Sequence, residues 1–515
     1  MKTTPLIGIL ALILTSNLAS AATLYVDAGS TNPVPPYTNW PTAAAVIQDA
    51  VDAAAPDDEV VVTNGVYATG GRAVAGLMTN RVAVDRPIIL RSVNGPEFTI
   101  IWGYKPPLNN GIADGAVRCV YLTNGAMLSG FTLTNGGTRN AGDAIQEQTG
   151  GGVWGATASA VVSNSILVRN AAISGGGAYG AALTNCLLTR NYAYSMGGGS
   201  YSATLYNCTL YRNESSSRGG GAFAGNLYNC LVATNQASAG GGLDNSGANN
   251  CIVIGNYAGS GGCGAYVAAL TNCTVVGNRG NYEPYAAASS CVALVNCIIY
   301  HNNNDLGAKP NYDRMIMGIP FSCCIFPAPQ SGADVITNEP RFMDLAGGNV
   351  RLQANSPCIN AGDNRRACIS PDMDGNPRLV GGTVDIGAYE FQTPTSVISY
   401  AWLQRYALPT DGTADFTDLD GDGFNNWQEW RAGSTPTNAL SFLRLLPPAP
   451  AGTNLTLTWP SAIGRSYSLD YSPDLSATPR FLPLATNLPG GTGTTTFTLT
   501  NPAAAPFRFY RVGVE

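Results

Sequence analysis

The sequence predicts an all-β chain wound into a right-handed parallel β-helix with rungs of about 22 residues. An Asn followed by Cys or Ser recurs at Asn164, Asn185, Asn207, Asn229, Asn250, Asn272 and Asn296, in steps of 21 to 24 residues. A second Asn follows each by six residues, at Asn170, Asn191, Asn213, Asn235, Asn256, Asn278 and Asn302. Between them one column is always apolar (Leu167, Leu188, Leu210, Val232, Val253, Val275, Ile299), while its neighbour varies (Ile166, Leu187, Thr209, Thr274). Period two with one fixed apolar face describes a strand buried on one side. A six-residue segment between corners is also too short for a packed helix.

Residues 1–21 read as an export signal: Lys2, an apolar core over Leu6–Leu14, and the small-residue site Ala19-Ser20-Ala21. The nine-residue core falls far short of the roughly 20 residues that span a bilayer, and no later stretch is long enough. The chain is therefore expected to be secreted or cell-surface, with no transmembrane span. Residues 22–56 form an N-terminal cap, in which Asp49–Ala55 is a short amphipathic helix covering the open edges of the first rung. The coil is expected over residues 57–392, with an insertion at 135–149. Its Asn corners accept a left-handed backbone and can bond to their copies one rung away. Gly175–Gly177, Gly197–Gly199, Gly219–Gly221 and Gly240–Gly242 mark a further corner that needs positive φ or close packing.

Cys186, Cys208, Cys230, Cys251, Cys273 and Cys297 share a column with Ser165. A slot that takes Ser or Cys indicates buried free thiols rather than disulfides. Cys358 and Cys368, flanking a loop, are the better disulfide pair among the 13 cysteines. His301 shares a corner column with Arg169, Arg190 and Arg212 and reads as an exposed corner residue. Three aligned arginines repel one another unless an anion or glycan carboxylate joins them, and solvated corners are the plainer reading.

Gly175-Gly176-Gly177-Ala178-Tyr179 followed by Leu188-Thr189-Arg190-Asn191 resembles the GGA and FxxN repeats of polymorphic outer-membrane proteins, over about residues 150–302. Gly375-Asn376-Pro377-Arg378 and Val384-Asp385-Ile386-Gly387-Ala388-Tyr389-Glu390 resemble the end of choice-of-anchor secreted β-helix proteins. The first rungs resemble pectin-lyase-like proteins. These resemblances imply an exported β-helix, and the last implies polysaccharide lyase or glycoside hydrolase activity as an alternative to adhesion.

Asp418-Leu419-Asp420-Gly421-Asp422-Gly423-Phe424-Asn425-Asn426-Trp427-Gln428-Glu429 matches a complete EF-hand template. Side-chain oxygens of Asp418, Asp420, Asp422, Asn426 and Glu429, with the Phe424 carbonyl, are the hard ligands one Ca2+ requires. Tyr400, Trp402, Leu403 and Tyr406 read as a helix ahead of the loop. Residues 396–440 thus form an EF-hand-like, helix–calcium loop–helix segment, similar to the single hands of dockerins and thrombospondin-type repeats, with calcium as a structural brace. Asp372, Asp374 and Asn376 make half such a loop, and Pro377 in the Gly position turns it into a plain turn. Residues 441–515 alternate β-branched, aromatic and polar residues, with strands at Thr456–Trp459, Tyr467–Leu469 and Phe507–Val512. They read as a small β-sandwich, weakly resembling fibronectin type III modules.

A net charge of −6 with 12% charged residues excludes a nucleic-acid binder, which would carry a basic stripe. Glu214, Asp244 and Glu283 occupy different columns and do not converge for acid–base work. The remaining catalytic candidates are Asp143 and Glu147, with Arg139, in the insertion. Trp154, Tyr179, Tyr201, Phe223 and Tyr266 form an aromatic column, interrupted by Asp244, that could stack on sugar rings. The alternative is that they cover Gly-rich backbone. The expectation is a monomeric binding or adhesion protein whose partner is a polysaccharide or cell-surface component.

Overall fold

The computed structural model describes residues 21–281, 288–304, 311, 318–367, 371–451, 453–500 and 508–515. The export signal, Glu283, Cys368 and Phe507 lie outside the described residues, apart from Ala21.

The chain is a right-handed parallel β-helix. One coil contributes the short strands Val153–Gly155, Val161–Ser163, Ile166–Val168 and Ala171–Ser174. Each continues into one sheet running along the axis. Among the described residues the first of these sheets has 10 strands, the second and third 11 each, and the fourth seven. Register is unbroken along the inward files, with Leu167 facing Leu188, Leu188 facing Leu210, and Val162 facing Leu183. All of these are fully buried. Burying one Leu or Val stabilises the fold by about 1.5–3 kcal/mol, so stacking like on like gives every coil the same core.

The two Asn columns do different work. The first lies at a left-handed corner, with φ of 54° at Asn185 and 52° at Asn207. The second points inward and is buried. Asn191 Nδ2 donates to Asn213 Oδ1 at 3.0 Å and Asn213 Nδ2 to Asn235 Oδ1 at 3.0 Å, while each Nδ2 also donates to a backbone carbonyl. The Asn191 and Asn213 amides donate to the same oxygens. Each buried amide side chain therefore has its polar atoms partnered.

The cysteine column is an equivalent file of thiols. The Cys186 amide donates to Cys208 Sγ at 3.4 Å, and Cys186 Sγ donates to the Thr184 carbonyl at 3.3 Å. Ser165 makes the same pair of bonds, accepting from Phe131 N and donating to the Ser163 carbonyl. Burial pushes the Cys251 and Cys297 thiols well above their usual range, so they stay protonated.

The coil begins earlier and ends earlier than the sequence indicates. Its first strand is Thr23–Val26, inside the expected cap, and pairs in parallel with Glu59–Val62. Helix α1 (Ile47–Ala53) buries Ile47, Ala50 and Val51. Gln48 extends a sheet edge: its Oε1 accepts from Ala83 N at 2.7 Å and its Nε2 donates to Ala83 O at 3.2 Å, as a neighbouring strand would. The last strand in the parallel ladders is Cys324–Ile325, and isolated parallel bridges carry the pairing on to Ala333 and Ile336, short of residue 392. Residues 342–367 and 371–391 instead form a flap on the outside of the coil. Phe342, Val350, Leu352, Ile359 and Ile386 cover the outward residues Ile252, Val276 and Ile298. Corner asparagines clasp the flap: Asn296 Oδ1 accepts from Asp363 N at 2.8 Å, and Arg378 Nη2 donates to Asn250 Oδ1 at 2.9 Å. The sequence hid this because an apolar outward file reads like another inner one.

After the flap come helix α2 (Tyr400–Arg405) and helix α3 (Asn426–Ala432), which share a core of Ile398, Leu403, Ala414 and Trp430. The tail holds two antiparallel three-stranded sheets, with Asn454–Ser461 and Ser466–Ser472 in their middles. Leu457, Trp459, Tyr467 and Leu469 are buried between them.

Candidate functional site

The 418–429 loop gathers oxygen at one point. Ligand atoms of Asp418, Asp420 and Asp422 all lie within 4.8 Å of one another. Buried oxygens on Asp420 (Oδ2), Asp422 (Oδ2), Asn426 (Oδ1) and Glu429 (Oε2) have no hydrogen-bond partner. Asn426 is fully buried, and its Nδ2 donates to the Ala414 carbonyl at 2.8 Å, which leaves only its oxygen free. Burial, with the charges of Asp420 and Asp422, pushes the Glu429 carboxyl up to about 7. Leaving several acceptors buried and unpaired is costly, and a hard dication with oxygen ligands fits that set. Asn425 caps α3 through a capping box with Gln428. The expected entering helix differs: α2 ends at Arg405, and residues 406–417 intervene before the loop.

The aromatic column is a continuous file, but its faces are spent on one another. Trp154 stacks on Tyr121 at 4.9 Å and on Tyr179 at 6.0 Å; Tyr201 then packs on Tyr179 at 5.3 Å and on Phe223 at 5.6 Å. Trp154 and Phe223 are buried, at 7% and 8% exposed. At the next rung Asp244, wholly buried, takes both guanidinium arms of Arg218 at 2.8 and 2.7 Å. That guanidinium lies over the Phe223 ring at 5.2 Å and the Tyr266 ring at 5.4 Å, replacing the missing ring. A sugar needs an open ring face, which Trp154 and Phe223 lack, while Tyr179, Tyr201 and Tyr266 are half-buried.

Arg139, Asp143 and Glu147 do meet, as a structural knot. Glu147 accepts from Leu77 N at 2.9 Å, from Asp143 N at 3.1 Å and from Arg139 Nη1. These bonds hold its carboxyl down at about 2. Such a group stays ionised at any physiological pH and has no proton to give. Asp143 caps the amides of Ile145 and Gln146. His301 is an exposed corner residue with φ of 54°, its Nε2 2.5 Å from Glu339 Oε1.

Arg169, Arg190 and Arg212 stand at successive corners with φ of 57°, 54° and 54°. All three are exposed, and among the described residues none forms an ion pair; Arg212 lies over the Tyr211 ring at 4.9 Å. Left-handed backbone costs a side-chain-bearing residue about 1–2 kcal/mol, and Thr234, Gly255 and Gly277 hold the same corner further along. Beside this file is a group the sequence reading missed. Lys105 lies on a loop after Trp102, its amine held below the usual lysine range by burial and by the neighbouring Arg169. Its stem runs across Gly111, φ 90°, where a Cβ would come within 2.6–2.7 Å of Lys105 Cβ, Cγ and Cδ. Trp102 and Tyr104 are exposed on the same loop. One signal was available: of 27 basic residues only three are lysines.

No protein-family model and no curated protein sequence matches this chain. Among solved structures, pectate lyase Pel9A is 15% identical with a TM-score of 0.43, over 73% of this chain and 98% of that one. A rhamnogalacturonan lyase is 14% identical with a TM-score of 0.33, over 65% and 95%. An alginate lyase from Paenibacillus sp. str. FPU-7 is 12% identical with a TM-score of 0.28, over 57% and 98%. The coil stands on its own strand ladders. Among the described residues no helix is long and apolar enough to cross a membrane.

Proposed function

We propose that this is an exported carbohydrate-directed protein that holds an acidic polysaccharide along the arginine corner. The observation that supports it is the file of Arg169, Arg190 and Arg212: three exposed guanidiniums, one per coil, at backbone positions that Gly or Asn would occupy at less cost. Neighbouring unit charges about 5 Å apart repel by roughly 0.8 kcal/mol in water. A polyanion bearing a carboxylate on each sugar turns that repulsion into attraction and contacts each arginine bidentately. In this reading the 418–429 loop binds Ca2+, which fixes α3 against α2 and the tail, and the aromatic column braces the coil rather than contacting ligand.

Lys105 favours a second, catalytic reading, the lyase alternative. With Arg169 neutralising a uronate carboxylate, the adjacent C5 proton becomes acidic and passes to the free-base form of the Lys105 amine, which burial and the charge of Arg169 favour. The C4–O bond then breaks as the C4–C5 double bond forms, and the departing oxygen takes a proton from solvent.

Binding of polygalacturonate, alginate and neutral dextran, measured at low and high salt, tests both. Wild type is expected to bind the acidic polymers, more weakly as salt rises, and the triple Arg169→Ala, Arg190→Ala, Arg212→Ala variant at least tenfold less. Undiminished binding by that variant overturns the arginine reading. Unsaturated uronate product that disappears in Lys105→Met supports cleavage; absence of product from any acidic polymer removes the catalytic reading alone.

A further inference from the structure

A cavity of about 530 Å³ opens where the end of the coil, the flap, the α2–α3 pair and the tail meet. Its walls include Trp402, Trp430 and the guanidiniums of Arg365, Arg405, Arg431 and Arg465. Asp334, Asp363 and Glu515 line it as well, so what matters is which arginines those carboxylates leave unpaired.

Two of the four are committed. Arg365 pairs with Asp363 at 3.1 Å and donates to the Gly464 carbonyl at 2.7 Å. Arg465 lies 3.8 Å from Asp334 and donates to the Trp430 carbonyl at 3.1 Å. Among the described residues Arg405 and Arg431 have no carboxylate partner and lie only against the rings of Tyr406 and Trp427. Burial and the charge of Arg465 disfavour the charged form of Arg431, so like charges are held together there without an anion between them. Trp402 is half-buried, so part of its ring remains open.

We propose that this junction cavity binds a carboxylate-bearing sugar, with Arg405 and Arg431 on the carboxylate and Trp402 against the ring. A planar guanidinium matches a carboxylate. An aromatic ring matches the C–H face of a sugar better than it matches an inorganic anion. The volume suits one or two sugar units. The site is remote in sequence from the arginine corner and does not depend on it.

Titration calorimetry on the full chain in calcium-containing buffer tests this, with galacturonate, galactose, acetate and an oligogalacturonate as probes. Wild type is expected to bind galacturonate at least tenfold more tightly than galactose or acetate. Arg405→Gln and Arg431→Gln, with unchanged melting temperatures, should each lose at least tenfold. Arg405 is exposed, so its variant keeps the test valid if Arg431→Gln folds poorly. The Arg169→Ala, Arg190→Ala, Arg212→Ala variant should retain monosaccharide binding, which separates this site from the corner. Equal affinity for the oligomer and the monomer indicates free sugar as ligand, and tighter oligomer binding that Arg405→Gln abolishes indicates a chain end. Binding of acetate as tight as galacturonate, or full galacturonate binding by Arg405→Gln, overturns the proposal.

Discussion

Asn213→Ala should cost far more than Asn185→Ala, although each removes one Asn from the pair of its own coil. Asn213 is buried. Its Nδ2 donates to Leu188 O at 2.9 Å and Asn235 Oδ1 at 3.0 Å, and its Oδ1 accepts from Asn191 N at 3.1 Å and Asn191 Nδ2 at 3.0 Å. Truncation removes four bonds and leaves the Asn191 N–H facing a void. At about 1 kcal/mol net per bond, the loss is about 4 kcal/mol, and the stranded donor pushes it upward. Asn185 is exposed, with one contact to Asn164 at 3.4 Å and a φ of 54°. Its replacement loses chiefly the left-handed preference of Asn, about 1 kcal/mol. Urea denaturation followed by circular dichroism should therefore separate the variants by about 3 kcal/mol at unchanged m-value. Equal losses would refute the claim that the inner file, rather than the corner, holds successive coils together.

Three further outcomes follow from the geometry. Chelator should lower the melting temperature of the wild-type chain by several degrees, and Asp422→Ala should remove the difference between calcium and chelator, both read by calorimetry. The flap carries buried Asp385 and Glu390: burial, with the charge of Asp372, pushes Asp385 up to about 7, and burial, with the charge of Asp385, pushes Glu390 up to about 9. In the unfolded chain both titrate near 4, so the folded flap holds their protons more tightly. Their contribution is fully present below about pH 4 and is lost as pH rises towards about 9. Amide-exchange protection of residues 384–390 should fall over that window and fall less in Glu390→Gln. Finally, Cys208→Ser should cost under about 1.5 kcal/mol, because Ser165 already fills the equivalent slot with the same bonds. Native thiols in the file should resist alkylation until urea unfolds the coil.

The sequence by itself determined the coil, because a strand repeated at one interval can satisfy its backbone only against its own copies, and the Asn, Cys and Leu columns record that register directly. It likewise marked the oxygen-rich loop, where ligand spacing is local. Tertiary structure alone decided three things. Glu147 is a knot, since amides 70 residues away in the chain at Leu77, and nearby at Asp143, consume its lone pairs. The aromatic file packs ring on ring, partly face to face and partly edge-on, since ring orientation depends on the rungs above and below. Lys105 reaches the arginine corner, and Arg405 and Arg431 share a cavity, only because distant loops fold onto one surface. Contacts set by repeat spacing are written in the chain. Contacts between segments with no common period are set by packing, and a single sequence carries no ruler for them.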